Sequence, residues 1–134
     1  LKKKLEKYNN IILYYFATPK IDMYSNLKSK IYDYENFYIN YPKKILKIFK
    51  NKKISFFYPS TIFVDHKNSK YAMIKNKAEN YLSKLENHNT IINILRISEI
   101  NTRQNLSLIK NNLPNFIDIL RNNQNYIKKL FFIK

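Results

Sequence analysis

Lys53-Ile54-Ser55-Phe56-Phe57-Tyr58 runs directly into Pro59-Ser60-Thr61, and after a short polar loop, Asp65–Ser69, the chain reads Tyr71-Ala72-Met73-Ile74-Lys75. The first stretch, Lys53–Tyr58, is of strand length and largely apolar, and reads as a strand buried on both faces. Proline cannot donate to a ladder, so the strand is expected to close at Pro59. The second stretch lies on a predicted helix, Ser69–Leu85, with Ser69 as its N-cap. Working outward, Asn10–Phe16 (NIILYYF) and Ile91–Ile97 (IINILRI) are two further runs of the buried-strand type. Asp33–Lys50 has helical spacing, with Phe37, Tyr41, Ile45 and Ile48 near one face, and Pro42 is expected to kink or break it. Residues 20–32 read as polar and irregular, and Leu1–Tyr8 as the end of a helix. Strands joined by helices of this length predict β-α-β crossovers and an α/β fold: a parallel sheet of about three strands with flanking helices. Beyond it, Leu106–Lys110, Asn115–Arg121 and Tyr126–Phe132 read as short helical pieces.

Composition narrows the chemistry. The 134 residues hold no cysteine, which excludes a disulfide framework, a cysteine zinc site and a thiol nucleophile. They hold no glycine, which excludes a glycine-rich phosphate loop within these residues. Net charge is +16, from 25 Lys+Arg against 9 Asp+Glu. That balance suggests a polyanionic partner. Yet only Arg96, Arg103 and Arg121 are arginines, the residue type that forks onto phosphates and reads base edges. The lysines accompany abundant Asn, Ile, Tyr and Phe, a set with AT-rich codons, so they read as a solvated surface and nucleic acid as an unfavoured partner. No run has the length of a membrane span and no secretory pattern opens the chain, so a cytoplasmic location is expected. The opening at Leu1 leads us to expect further residues upstream.

Tyr71 and Lys75 stand four apart, so they share one helical face. A phenol of ordinary pKa near 10 needs help to move protons near neutral pH, and a nearby ammonium favours its ionised form. A hydroxyl at the end of the preceding strand, Ser60 or Thr61, could hold a substrate oxygen beside that phenol. The order of features is then strand, Ser/Thr segment, Tyr-x-x-x-Lys helix continuing to Glu79, and a strand carrying Leu95-Arg96. This resembles the catalytic half of the short-chain dehydrogenase/reductase superfamily, in particular its extended branch, the NAD-dependent epimerases/dehydratases. Asn10–Thr18 is similar to that family's fourth strand, and Phe37-Tyr38-Ile39-Asn40 to a helix segment that follows it. The resemblance covers roughly residues 10–104.

The resemblance implies a partial Rossmann-like sheet, with 1–104 as part of an NAD(P)-binding catalytic region and 105–134 as the start of a substrate-side segment. It implies Tyr71 as catalytic acid/base, Lys75 as the group that lowers its pKa and binds the nicotinamide ribose, and Ser60 or Thr61 as the substrate-orienting hydroxyl. It places Ala17, Thr18, Tyr71, Lys75, Ile97 and Ser98 beside NAD or NADP, and Asn40 in a structural or relay role. It further implies a small polar substrate such as a nucleotide sugar, and a homodimer through helices 33–50 and 69–85. The family's glycine fingerprint is absent, and Ile97 stands where proline usually follows the arginine. The chain is therefore expected to bind a dinucleotide weakly or not at all. Two readings stand beside this one: a basic module for nucleic acid or anionic surfaces, and a catalytically dead structural remnant. His66, His88 and Asp65 read as solvated loop residues rather than metal ligands. The stripe Tyr32, Tyr34, Phe37, Tyr38 and Tyr41 could stack bases, but reads as core or partner-facing surface. Lys128–Lys134 could be an amphipathic anchor, but reads as an unfinished element.

Overall fold

The computed structural model describes residue 5 and residues 7–21, 27–66, 69–98 and 114–122. Its elements are β1 (Asn10–Tyr14), α1 (Lys28–Glu35), a π turn (Asn36–Asn40), α2 (Tyr41–Ile48), β2 (Lys53–Thr61), a 3₁₀ turn (Ile62–Asp65), α3 (Lys70–Ser83), β3 (Thr90–Ile97) and α4 (Phe116–Asn122). The three strands form one parallel sheet in the order β1-β2-β3. This is the parallel α/β arrangement that the three runs predict, and it is consistent with the partial Rossmann-like sheet that the resemblance implies. The short pieces expected at Leu106–Lys110 and Tyr126–Phe132 lie outside the described residues.

One face of the sheet is covered. Ile11 and Tyr15 from the first strand segment, with Ile54, Phe56 and Tyr58 from β2, pack under Tyr34, Tyr38, Leu46 and Phe49 and under Tyr71, Ile74, Ala78 and Leu82 of α3. These side chains alternate along the strands and recur at helical spacing along the helices, which places them on the inward faces. The other face carries Phe57, with the rings of Tyr14 and Phe16 against it at 5.7 and 5.9 Å. On that face Asn93 donates to the Ser55 hydroxyl at 3.0 Å, satisfying two buried polar groups together.

Three local expectations are corrected. The first strand segment is not buried on both faces: Ile12, Tyr14 and Phe16 are exposed, and among the described residues β1 is an edge strand paired on one side. The helix begins at Lys28 rather than Asp33, within a stretch read as irregular. Nor does Pro42 break it. The backbone stays right-handed helical through Asn36, Asn40 and Tyr41, and the π turn immediately precedes the proline. In an α-helix the Pro42 ring would press on the carbonyl of Tyr38 and leave it without a donor; the wider π turn relieves that clash.

β2 also runs on through Pro59 to Thr61. Tyr15 N donates to Phe57 O, so odd-numbered residues of β2 direct their polar groups toward β1, while Ile54 N bonds Asn89 O on the other side. Pro59 therefore lacks its N–H on the side where β1 has already ended, and the ladder to β3 continues unharmed. At the start of α3, the Ser69 hydroxyl accepts from Ala72 N at 3.3 Å, as its N-cap position predicts. Replacing Ser69 by Ala is expected to lower the unfolding free energy by about 1 kcal/mol, measured by urea titration; no loss would mean the cap does not hold the helix start.

Candidate functional site

The C-terminal end of the central strand of a parallel sheet is where ligands bind in open α/β folds. Here β2 ends in Pro59-Ser60-Thr61, and α3 returns over it so that its first turn, with Tyr71, lies above the strand end. The hydroxyls of Thr61 and Tyr38 lie close enough to the Tyr71 phenol to pull its pKa down. One turn later Lys75 is buried, and its ammonium donates to the Pro59 carbonyl at 2.9 Å. That carbonyl is free to accept because it faces the side on which β1 has stopped. The ammonium also lies over the rings of Tyr38 and Tyr58, 4.1 and 4.6 Å from their centroids. Such contacts favour a cation by about 1–2 kcal/mol where water is excluded.

Electrostatics depart from the expected pattern. Burial pushes the Tyr71 phenol up to about 12, and Tyr34 adds to the rise, while the bonds from Thr61 and Tyr38 pull it down by less. Lys75 does not draw the phenol toward neutrality. Its own pKa is brought down to about 7 by burial, with Glu79 pulling it back up, so near neutral pH it is only partly charged. The phenols of Tyr38 and Tyr58 are likewise raised, chiefly by burial. The Tyr71 phenol is thus protonated near neutral pH.

The predicted residues divide clearly. Thr61, not Ser60, meets the phenol. The Ser60 hydroxyl is buried with no hydrogen-bond partner, and the Tyr58 hydroxyl shares that condition. Two buried polar groups without partners are what a ligand or water would satisfy. Thr18 joins the site through Tyr38, their oxygens 2.6 Å apart. Ala17 is exposed at the rim, Ile97 is half-buried opposite Thr61 in the ladder, and Ser98 is exposed just beyond it. Asn40 points elsewhere: it is exposed and bonds Asn36 at 3.0 Å. His66 and His88 are exposed, and no cluster of metal-ligating side chains forms among the described residues. Tyr34 and Tyr38 are fully buried in the core and cannot stack bases.

Three members of the site escaped the sequence reading. Tyr34 meets Tyr71 edge-on at 5.6 Å, and Tyr38 does so at 5.8 Å. The Tyr58 ring lies against the Lys75 ammonium. Their signal was the four-residue spacing of Tyr34 and Tyr38 and the place of Tyr58 two before Ser60. Behind Lys75, Glu79 is held by Arg96, whose Nε lies 3.2 and 3.1 Å and Nη2 2.8 Å from its carboxylate. Arg96 Nη1 also reaches Asp65 at 3.6 Å, tying the 3₁₀ turn to β3.

Elsewhere, an apolar groove of about 450 Å³ follows the free edge of β1, bounded by Leu5, Ile45, Ile48 and Phe49. It offers almost no polar group and does not include Tyr71. Among the described residues no helix is long and apolar enough to cross a membrane. The chain matches no protein-family model, no curated protein and no solved structure.

Proposed function

We propose that this chain is the catalytic segment of an NAD(P)-dependent oxidoreductase of the short-chain dehydrogenase/reductase type, epimerase/dehydratase branch. The observation that carries this reading is the meeting of Tyr71 with Thr61 at the end of β2, with Lys75 one helical turn behind. The nicotinamide-ribose end of the cofactor is assigned to the end of β2, where the buried hydroxyls of Ser60 and Tyr58 have no hydrogen-bond partner. They offer nothing for the pyrophosphate, since the chain has no glycine to let backbone amides approach it. When bound, a nicotinamide supplies hydride chemistry.

This chain's residues then handle the oxygen and its proton. Thr61 positions a substrate carbonyl oxygen next to the phenol. Tyr71, neutral at working pH, donates its proton as negative charge grows on that oxygen. Lys75 stands by as a partly charged donor held at the strand end. A small polar metabolite, such as a nucleotide sugar, suits a site built of hydroxyls, and pairing of two copies through the outer faces of α1–α2 and α3 accompanies this reading.

The test is a titration of the chain with nicotinamide mononucleotide, followed by NMR. Shift changes are expected at Thr61, Tyr71 and Lys75, with a Kd on the order of millimolar. NAD is expected to bind no more tightly, and Tyr71→Phe to weaken binding about tenfold through one lost hydrogen bond. Absence of these shifts would overturn the reading. A second reading has its own observation: residues 36–64 contain no acid, while Lys43, Lys44, Lys47 and Lys50 are exposed along α2 and just after it. Shifts confined to those lysines and erased by salt would favour an anion-binding surface instead.

A further inference from the structure

Lys75 and Glu79 are the only charged side chains buried among the described residues. They stand four apart on α3, so they share one face, with Cβ atoms about 5–6 Å apart. Opposite charges so placed, away from water, are expected to pair with each other. They do not: among the described residues no ion pair joins them. The Lys75 ammonium donates instead to the Pro59 carbonyl at 2.9 Å, at the end of β2. Glu79 is occupied from another side. Arg96 forks onto it, with Nε 3.2 and 3.1 Å from the two carboxylate oxygens and Nη2 2.8 Å from one of them. The ladder explains how Arg96 gets there. It lies opposite Ser60 in the pairing of β2 with β3, and directly paired residues project from the same face of a sheet. Its Nη1 reaches Asp65 at 3.6 Å, and its side chain stays 46% exposed. One edge of the guanidinium therefore keeps to water while the other closes on the carboxylate.

We propose that Arg96 is a positioning residue for Lys75: by holding the Glu79 carboxylate it keeps the amine from folding back along α3 and turns it to the end of β2. This deepens the oxidoreductase reading, and rests on it only for what the amine does once there. A guanidinium prevails in this competition for a geometric reason. Its planar fork gives parallel N–H groups to one carboxylate, whereas an ammonium is a point charge. The other groups around Lys75 do not compete. Tyr38 from the π turn, Tyr58 from β2 and Tyr71 from the preceding turn of α3 are all raised by burial and stay neutral near pH 7. Asp65 of the 3₁₀ turn is engaged by Arg96. Glu79 is thus the one described carboxylate whose attraction acts on Lys75, and Arg96 governs Glu79. Without the arginine, the carboxylate would take the nearest cation, one turn back on its own helix, and the bond to Pro59 would be given up.

The test needs no substrate. In protein carrying isotope-labelled lysine, the NMR signal of the Lys75 Cε is followed against pH and assigned by its loss in Lys75→Met. The parent is expected to titrate at about 7. Arg96→Met is expected to raise that midpoint by about one pH unit, as an opposite charge comes within reach of the amine. Glu79→Gln added to Arg96→Met is expected to bring the midpoint back to the parent value or below it. The double variant separates this role from a merely structural one. If Arg96 only braced α3 against β3, the amine would gain water in both variants and titrate higher in both. A midpoint unmoved in Arg96→Met, or raised equally in the double variant, would overturn the proposal. Arg96→Lys keeps a charge without the fork and is expected to fall between the parent and Arg96→Met, which secures the reading should Arg96→Met prove too unstable to titrate. Failure of nicotinamide mononucleotide to bind, with the Lys75 midpoints moving as described, would support the positioning role and overturn the oxidoreductase reading alone.

Discussion

Lys75→Met is expected to raise the unfolding free energy at pH 7 by about 2–3 kcal/mol. Burial brings the Lys75 pKa from 10.5 to about 7. A shift of that size corresponds to roughly 4–5 kcal/mol at about 1.4 kcal/mol per unit. Loss of the bond to Pro59 and of the two ring contacts offsets about 2 kcal/mol of this. The sign is fixed by proton binding. Between pH 7 and pH 10.5 the unfolded chain holds the Lys75 proton while the folded chain has released it, so stability rises with pH across that window. The variant should lack this rise. Above pH 10 both proteins should lose stability together: burial raises Tyr15 and Tyr71 to about 12, so their phenols ionise first in the unfolded chain. Urea unfolding from pH 6 to pH 11 measures both limbs, with a maximum expected near pH 9–10 for the parent. A parent curve falling steadily from pH 7 would contradict the burial of Lys75.

Arg96→Met is expected to lower the unfolding free energy by about 2–3 kcal/mol, because it strands the Glu79 carboxylate. The Glu79 side chain is 11% exposed and that of Arg96 46%, so the penalty falls below that of a fully buried pair. The second measurement is a double-mutant cycle. Glu79→Gln combined with Arg96→Met should recover most of the loss, since a neutral amide no longer needs a cation. Simple additivity of the two single losses would show that the fork between them contributes nothing.

The architecture was legible because three apolar runs, spaced by helix-length segments, admit few arrangements other than a parallel sheet. The meeting of Tyr71 with the end of β2 was legible too, because a helix following a strand returns over the strand's C-terminal end. Electrostatics were not. The sequence places a lysine one turn from a tyrosine, but only the packing shows that its amine turns to Pro59 and enters a nest of rings. Spacing alone could not reveal that Tyr38, on another helix, would reach the phenol before Asn40 did. The π turn hides that outcome, since any register drawn on a regular helix misplaces everything beyond it. The exposed face of β1 was missed for another reason: apolar runs look alike whether a strand has one neighbour or two.

Pro59 links the sheet to the chemistry in one further respect. The next donor along the ladder from β1 would be the amide of Ala17, and its acceptor would be the carbonyl that now receives the amine. A longer first strand and an anchored Lys75 are thus mutually exclusive. The length at which this sheet stops growing at its margin decides whether the lysine has a mooring, so small insertions or deletions near Phe16 are a route by which such a fold gains or discards that anchor.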